Sequence, residues 1–228
     1  PDTGGEADMS TRLFLVRHGE SVWNAAGRLQ GQADPPLSAR GLQQAYALAE
    51  AFSARPLAAI YCSPLARAHT TASYIAAPHG LCPRVAAAFQ EVHLGRWQGD
   101  HPAAWNADTR ARYAAWHTAP ALVTPPGGEA LDDVRARVAS ALDALVAAHP
   151  DASVVVVTHS ITGRVALCHL LDIGLELIPR LKLKQASITL VRRDVGGAVL
   201  ERLGDTSHLD APPPAVWGVT DDRLGEDA

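Results

Sequence analysis

Apolar positions along the chain switch between two periods, and the switches mark the elements. Leu13 to Val16 is an unbroken apolar run that stops at Arg17-His18-Gly19, which predicts a buried strand delivering polar groups at its C-terminal end. Ser38 has the chemistry of an N-cap for the Ala/Leu/Gln-rich segment running to about Phe52, a predicted helix. Ala58 to Cys62 predicts a second strand. Ser63-Pro64 then predicts a helix to about Ala76, with the serine as N-cap and the proline at the first helical position. Val134, Val138, Ala141, Leu142 and Leu145 recur at helical spacing within Glu129 to His149. Ser153 to Thr158 is a continuous β-branched run, so it predicts a strand buried on both faces, with His159 at its end and a helix following through Arg164 to Leu170. Ser187 to Arg192 and Ala198 to Leu203, on either side of Gly196-Gly197, predict a hairpin.

Strands alternating with helices predict an α/β sheet, here assigned to a domain over 11–205. One stretch breaks the alternation. Glu91 to Gly128 carries Trp97, Trp105, Tyr113 and Trp116 among Gly, Pro and charged residues, and reads as an insertion with short helices. Pro212 to Pro214 marks a C-terminal tail, 206–228. Residues 1–10 are polar and Gly-containing and lack the apolar stretch of a signal peptide. They are expected to be disordered, with Met9 as the native start and the residues before it a remnant.

Composition narrows the partners. The 228 residues are 47% hydrophobic and 19% charged, the soluble globular range for one sizeable α/β domain. A net charge of -4 and a pI near 6.2 argue against nucleic acid or an anionic membrane as a partner recognised by bulk charge. No apolar run approaches the roughly 18 residues of a membrane span. Cys62, Cys82 and Cys168 show no CxxC spacing and read as small buried hydrophobes in a reducing compartment, so the cytoplasm is the expected location.

The predicted elements place His18 and His159 just past the ends of two parallel strands, where open α/β sheets hold their ligands. Arg17 precedes one histidine, and Arg67 falls in the first turn of the helix after another strand. Two guanidiniums and two imidazoles converging on one crevice suit a phosphate dianion, which arginine binds bidentately. Gly19 lets backbone and ligand approach closely, and Asn24 offers one more hydrogen bond. The carboxylates near the histidines are too few and scattered for a divalent metal site, so neither metal nor cofactor is expected.

The residues also follow a known order. Arg17-His18-Gly19-Glu20-Ser21, Trp23-Asn24, Gly27-Arg28, Gln30-Gly31, Asp34, Pro36-Leu37-Ser38 and Gly41 form a first block. Ser63-Pro64-Leu65, Arg67-Ala68 and Thr71-Ala72 form a second, Glu91, Gly95, Trp97 and Gly99 a third, and Thr158-His159 a fourth. In this order and spacing the chain resembles the histidine phosphatase (phosphoglycerate mutase-like) superfamily. The resemblance implies a three-layer sandwich with a mostly parallel central sheet flanked by helices, and a helical insertion over the active site.

It also implies roles. His18 would be the nucleophile, kept unprotonated by Arg17 and Arg67, which would also stabilise the transferring phosphoryl oxygens. His159, protonated between phosphate and protein, would be a further donor. Glu91 would protonate the leaving alcohol and then activate water, with burial under the tryptophan-rich segment raising its pKa. Asn24, Ser160, Ser21, Gln30 and Gly31 complete the expected phosphate and substrate contacts, although Ser21, Gln30 and Gly31 could equally stabilise their loop. The family usually has Gly where this chain has Ser160, which either costs strain or offers a hydroxyl.

Three activities compete. A phosphomonoesterase acting on a small organic phosphate is favoured, because Glu91-Val-His-Leu-Gly-Arg-Trp-Gln-Gly99 is similar to the phosphatase branch and Pro102 to Pro126 has few cations for a second phosphate. A phosphoglycerate mutase and a non-catalytic phospho-ligand binder are the alternatives. His93 and Arg96 are candidates to meet a carboxylate or sugar hydroxyls. The expected partner is thus a small phosphate ester, with a homodimer as a candidate assembly.

Overall fold

The structure, a computed structural model, describes residues 10–210 of the chain. Four strands run parallel: β1 (Thr11–Arg17), β2 (Ala59–Cys62), β3 (Arg84–Val85) and β4 (Ser153–Thr158). The hairpin β5 (Ile188–Asp194) and β6 (Gly197–Asp205) adds antiparallel to β1, giving one six-stranded sheet in the order β3-β2-β4-β1-β5-β6.

Side-chain alternation along β1 and β4 splits the core into two layers. Phe14, Val16, Val155 and Val157 face one side, where they meet Leu48 and Phe52 of α2 (Ala39–Ser53) and Ala72 and Ile75 of α3 (Ala66–Ala76). Leu13, Leu15, Val154 and Val156 face the other, against Val138 and Leu142 of α5 (Leu131–Ala148) and Val165 of α6 (Ser160–Leu170). Val154 to Val157 are fully buried, as a run apolar on both faces requires. Each such side chain contributes about 1.5–3 kcal/mol by burial. The fold is therefore the expected α/β three-layer arrangement.

The parallel strands end along one edge and are locked together there. The amide of His18 donates to the Thr158 carbonyl at 3.0 Å, and that of Ser63 to the Val157 carbonyl at 3.0 Å. The insertion starts beside the same edge. Its first part pairs backbone groups with the loop after β1: Gly99 N–H to Leu29 at 2.8 Å and Leu29 N–H to Asp100 at 2.9 Å. Farther on, α4 (Ala107–Thr118) buries Trp116 in the α5/α6 layer, with Trp97 edge-on to it, Tyr113 stacked on it and Trp105 edge-on to Tyr113. Trp97 and Trp116 are core residues, and Trp105 is half-buried beside them.

Several sequence expectations need correcting. α3 begins at Ala66, not Ser63, and its N-cap residue Leu65 has no side-chain bond to give. The orphan N–H of Ala66 is instead met at 2.7 Å by Asp34 Oδ1, from a loop 32 residues earlier. α5 begins at Leu131, and Glu129, left outside it, forms an ion pair with Arg137, with N···O at 2.7 Å. Cys62 and Cys168 are buried as expected, but Cys82 is exposed. Strand β3, two residues long, is too short for any periodicity to show. Folded structure continues past Asp205 into a 3₁₀ turn at Ser207–Leu209, where Leu209 packs on the α2/α3 layer. The readings for residues 1–9 and for Pro212 to Pro214 lie outside the described residues.

Candidate active site

The edge shared by β1, β2 and β4 collects the polar groups. His18 follows β1 and His159 follows β4, with ring centroids 5.0 Å apart and accessibilities of 3% and 0%. His18 Nδ1 lies 2.6 Å from the carbonyl oxygen of Gly19. A carbonyl cannot donate, so Nδ1 carries the proton and the neutral ring presents its lone pair at Nε2. Arg67, buried in the first turn of α3, reaches that lone pair with Nε at 3.3 Å. Its other two nitrogens donate to the carbonyls of Ala33 (2.8 Å) and Gly31 (2.7 Å), so the guanidinium is aimed by the same loop that caps its helix.

Electrostatics follows from this crowding. Burial first, then Arg67 and Arg17, push the His18 pKa well below its usual range, against the opposing Gly19 bond. Burial, then Arg67, His18 and Arg17 do the same to His159. Both shifts favour the neutral rings, while the sequence reading has His159 protonated once it lies between phosphate and protein. The cations respond too: burial is the leading cause that lowers Arg17 and Arg67 to about 10 each, with Glu91 partly offsetting it.

The tautomer of His159 is set by a residue that sequence reasoning assigned elsewhere. Ser63 Oγ accepts from the Leu65 amide at 3.2 Å and lies 2.8 Å from His159 Nε2. The hydroxyl proton has no other acceptor among the described residues, so in the neutral pair it points at Nε2 and leaves the ring proton on Nδ1. That Nδ1 is buried without a partner, and so is Nε of Arg17. A buried donor left unpaired costs about 1–3 kcal/mol, so both atoms have a hydrogen bond left to give. Ser63→Ala frees the ring to change tautomer. We expect kcat to fall about tenfold and Ser63→Thr, which keeps the hydroxyl, to recover most of it. An equal loss in both variants would mean that Ser63 acts by packing alone.

Glu91 lies against the start of α6, where helix amides lack partners. Its Oε1 accepts from the amides of Val92 (3.0 Å) and Thr162 (3.0 Å), while the Thr162 hydroxyl, 3.1 Å away, gives its proton to the nearer Gln90 carbonyl at 2.7 Å. Among the described residues Oε2 accepts only from the Ile161 amide, at 3.1 Å. The helix start, not the tryptophan cluster, supplies these partners. Arg137 braces the strand side by donating to the carbonyls of Ala88 (2.6 Å), Gln90 (2.9 Å) and Glu91 (3.3 Å).

The remaining candidates divide. Ser160 opens α6 with ordinary negative φ, so replacing glycine there stores no left-handed strain, and its hydroxyl is met by Arg164 at 3.2 Å. Ser21 is fully buried, its hydroxyl donating to Gln30 Oε1 at 2.7 Å and accepting from the Asn24 amide at 3.0 Å. Asn24 Oδ1 accepts from the Ser21 amide at 3.1 Å, which closes a capping box on the short helix α1 (Val22–Ala25). These three hold the loop's shape, and the Asn24 side-chain amide donates none of these bonds. Gly31 has φ +55°, and a Cβ there would lie 2.5 Å from Gln98 Oε1. Its role in the site is the carbonyl that holds Arg67. His93 is occupied, accepting from the Gly95 amide at 3.1 Å, and Arg96 is exposed. Residues that sequence reasoning missed are Ser63 as a partner of His159, Asp34 as the α3 cap, and Arg164, Lys182 and Lys184 beside Arg17. Two lysines alternating with Leu181 and Leu183 were the available signal.

Among the described residues no three His, Cys, Asp or Glu side chains gather as a metal-ligand set, and no helix is long and apolar enough to cross a membrane. The family model described as histidine phosphatase superfamily (branch 1) matches residues 13–206. A metal-independent phosphoserine phosphatase of Arabidopsis thaliana is 36% identical over 206 residues, covering 88% of this chain and 84% of that protein. A Cronobacter sakazakii chain named "Probable phosphoglycerate mutase" is 32% identical, with 88% and 96% covered. The solved structure of a mycobacterial glucosyl-3-phosphoglycerate phosphatase superposes with a TM-score of 0.80 at 32% identity, over 86% of this chain and all of that one. The chain thus belongs to the histidine phosphatase superfamily, branch 1.

Proposed function

We propose that the protein hydrolyses a small phosphate monoester through a phosphohistidine on His18. The observation that carries the reading is the fixed tautomer of His18: Nδ1–H is held by the Gly19 carbonyl, and the Nε2 lone pair faces the Arg67 guanidinium. In the first step Nε2 attacks phosphorus, the bond from phosphorus to the ester oxygen breaks, and the departing oxygen takes a proton from Glu91. Oε2, with a single donor on it, is the oxygen with room to carry that proton. In the second step water attacks phosphorus, Glu91 takes the water's proton, and the electron pair of the P–N bond returns to Nε2. Arg17 Nε, Arg67 and His159 Nδ1–H supply donors to the phosphoryl oxygens throughout. The three unpaired cysteines suit a reducing compartment, so we place the activity in the cytoplasm.

The test is a rapid quench into base with a phosphorus-labelled ester. Label on His18 that turns over at the rate of phosphate release is expected. Phosphoryl migration between glycerate positions with little free phosphate would replace this reading by a mutase one. Glu91→Gln is expected to slow poor leaving groups by about 10²–10⁴-fold and p-nitrophenyl phosphate far less. A response that does not vary with leaving-group pKa would remove Glu91 from the proton-donor role.

A further inference from the structure

Beside Arg17 the surface opens into a cleft of about 300 Å³ lined by cations and containing no acidic side chain: Arg17, Arg164, Lys182 and Lys184, with Ser160 and Gln185 between them. At about 30 Å³ per water this is space for roughly ten waters, enough for a small organic fragment. In a chain of net charge -4 such a concentration of one sign is local and built.

The lysine-bearing loop is held in place at several points. The Leu183 carbonyl accepts from Arg17 at 2.6 Å, and the Lys184 carbonyl accepts from the Ser187 amide at 3.1 Å. Leu183 packs into the α5/α6 layer, against α6 where Gly163 leaves room: a Cβ at 163 would meet its methyl group at 3.0 Å. Gly204 of β6, at φ +60°, lets the Lys182 carbonyl come where a Cβ would be 2.5 Å away. Ala186 holds a left-handed φ of 56° and donates its amide to the His18 carbonyl at 3.1 Å. With Leu183 turned inward, Lys182 and Lys184 are exposed on the cleft side. Arg164 is already tied to Ser160 and to the Ile178 carbonyl, so it supplies fixed charge, while among the described residues neither lysine ammonium has a hydrogen-bond partner.

Resting on the phosphatase reading above, we infer that this cleft is a second anion site, in which Lys182 and Lys184 receive a carboxylate on the leaving group of the substrate. Arg17 connects the two sites: it lines the cleft, and its buried Nε, without a partner among the described residues, is the donor proposed above for the phosphoryl group. A phosphate ester bearing a carboxylate a few bonds from the ester oxygen can then span the two. Esters with a neutral leaving group lack that contact.

Glycerol 3-phosphate and 3-phosphoglycerate differ only by a hydroxymethyl group against a carboxylate, which makes them the diagnostic pair. Wild-type protein should favour 3-phosphoglycerate in kcat/KM. In the double variant Lys182→Gln/Lys184→Gln that preference should drop about tenfold, mainly through KM, with glycerol 3-phosphate and p-nitrophenyl phosphate turned over as before. Raising salt should erode the same preference in the wild type. Equal effects on both glycerol esters, or none, would overturn the second site while leaving the phosphatase intact. Failure of the wild type to release phosphate from any ester would remove the phosphatase reading and this inference together.

Discussion

His18→Ala is expected to remove ester hydrolysis by at least about 10⁴-fold and to leave no base-stable phosphoprotein on quenching. The same variant has a second signature, in stability. Burial and neighbouring cations lower the folded-state pKa of His18, while in the unfolded chain the ring titrates near 6.5. Between those values the unfolded chain binds a proton that the folded chain refuses. The contribution is therefore fully present above about pH 6.5 and is lost as pH falls below it, by about 1.4 kcal/mol per pH unit for each such histidine. His159 behaves likewise. Urea unfolding between pH 7.5 and 5 should show a steep acid slope in the wild type and a shallower one in His18→Ala. An unchanged slope would mean that His18 is not held neutral.

Arg67→Lys should also be costly, though less so. One ammonium cannot reproduce three directed donors to His18, Ala33 and Gly31. Loss of transition-state donors predicts a fall in kcat/KM of about 10²–10³-fold. The Gly31 and Ala33 carbonyls also lose partners, and each buried one left unpaired costs about 1–3 kcal/mol, so the melting temperature should drop as well. Activity within a few-fold of wild type would take Arg67 out of the phosphoryl-binding role.

The strands and the two histidines were legible because burial on both faces leaves a plain mark. Val154 to Val157 can be little else, and the polar residue that ends such a run must sit at the sheet edge. What stayed hidden depends on partners distant in sequence. Ser63 before Pro64 has the local chemistry of a cap, yet its hydroxyl is taken by His159, 96 residues later, and Asp34 takes over the capping. Glu91 could be picked out by its block but not its environment, since the amides around it come from Ile161 and Thr162. Tryptophans at 97 and 116 look alike as pocket walls or core until packing is known. Lys182 and Lys184, the only lysines in the sequence, carried a signal in their alternation with Leu181 and Leu183, but nothing in the sequence places that loop beside Arg17. Only the inward turn of Leu183 and its bond to Arg17 make them neighbours of the site.

The groups proposed to handle phosphorus sit on strand ends and helix starts that also lock the sheet, and even the glycines there are spoken for. A Cβ on Gly41 would overlap the Glu20 carbonyl oxygen, and one on Gly19 would lie 2.6 Å from that of Gly41. The lysines stand on a loop whose backbone is tied to Arg17 and His18, but their own side chains are exposed and contribute little to the interior. Divergence can therefore rewrite which alcohol departs by changing a handful of loop residues, while the machinery that breaks the ester bond is inherited whole.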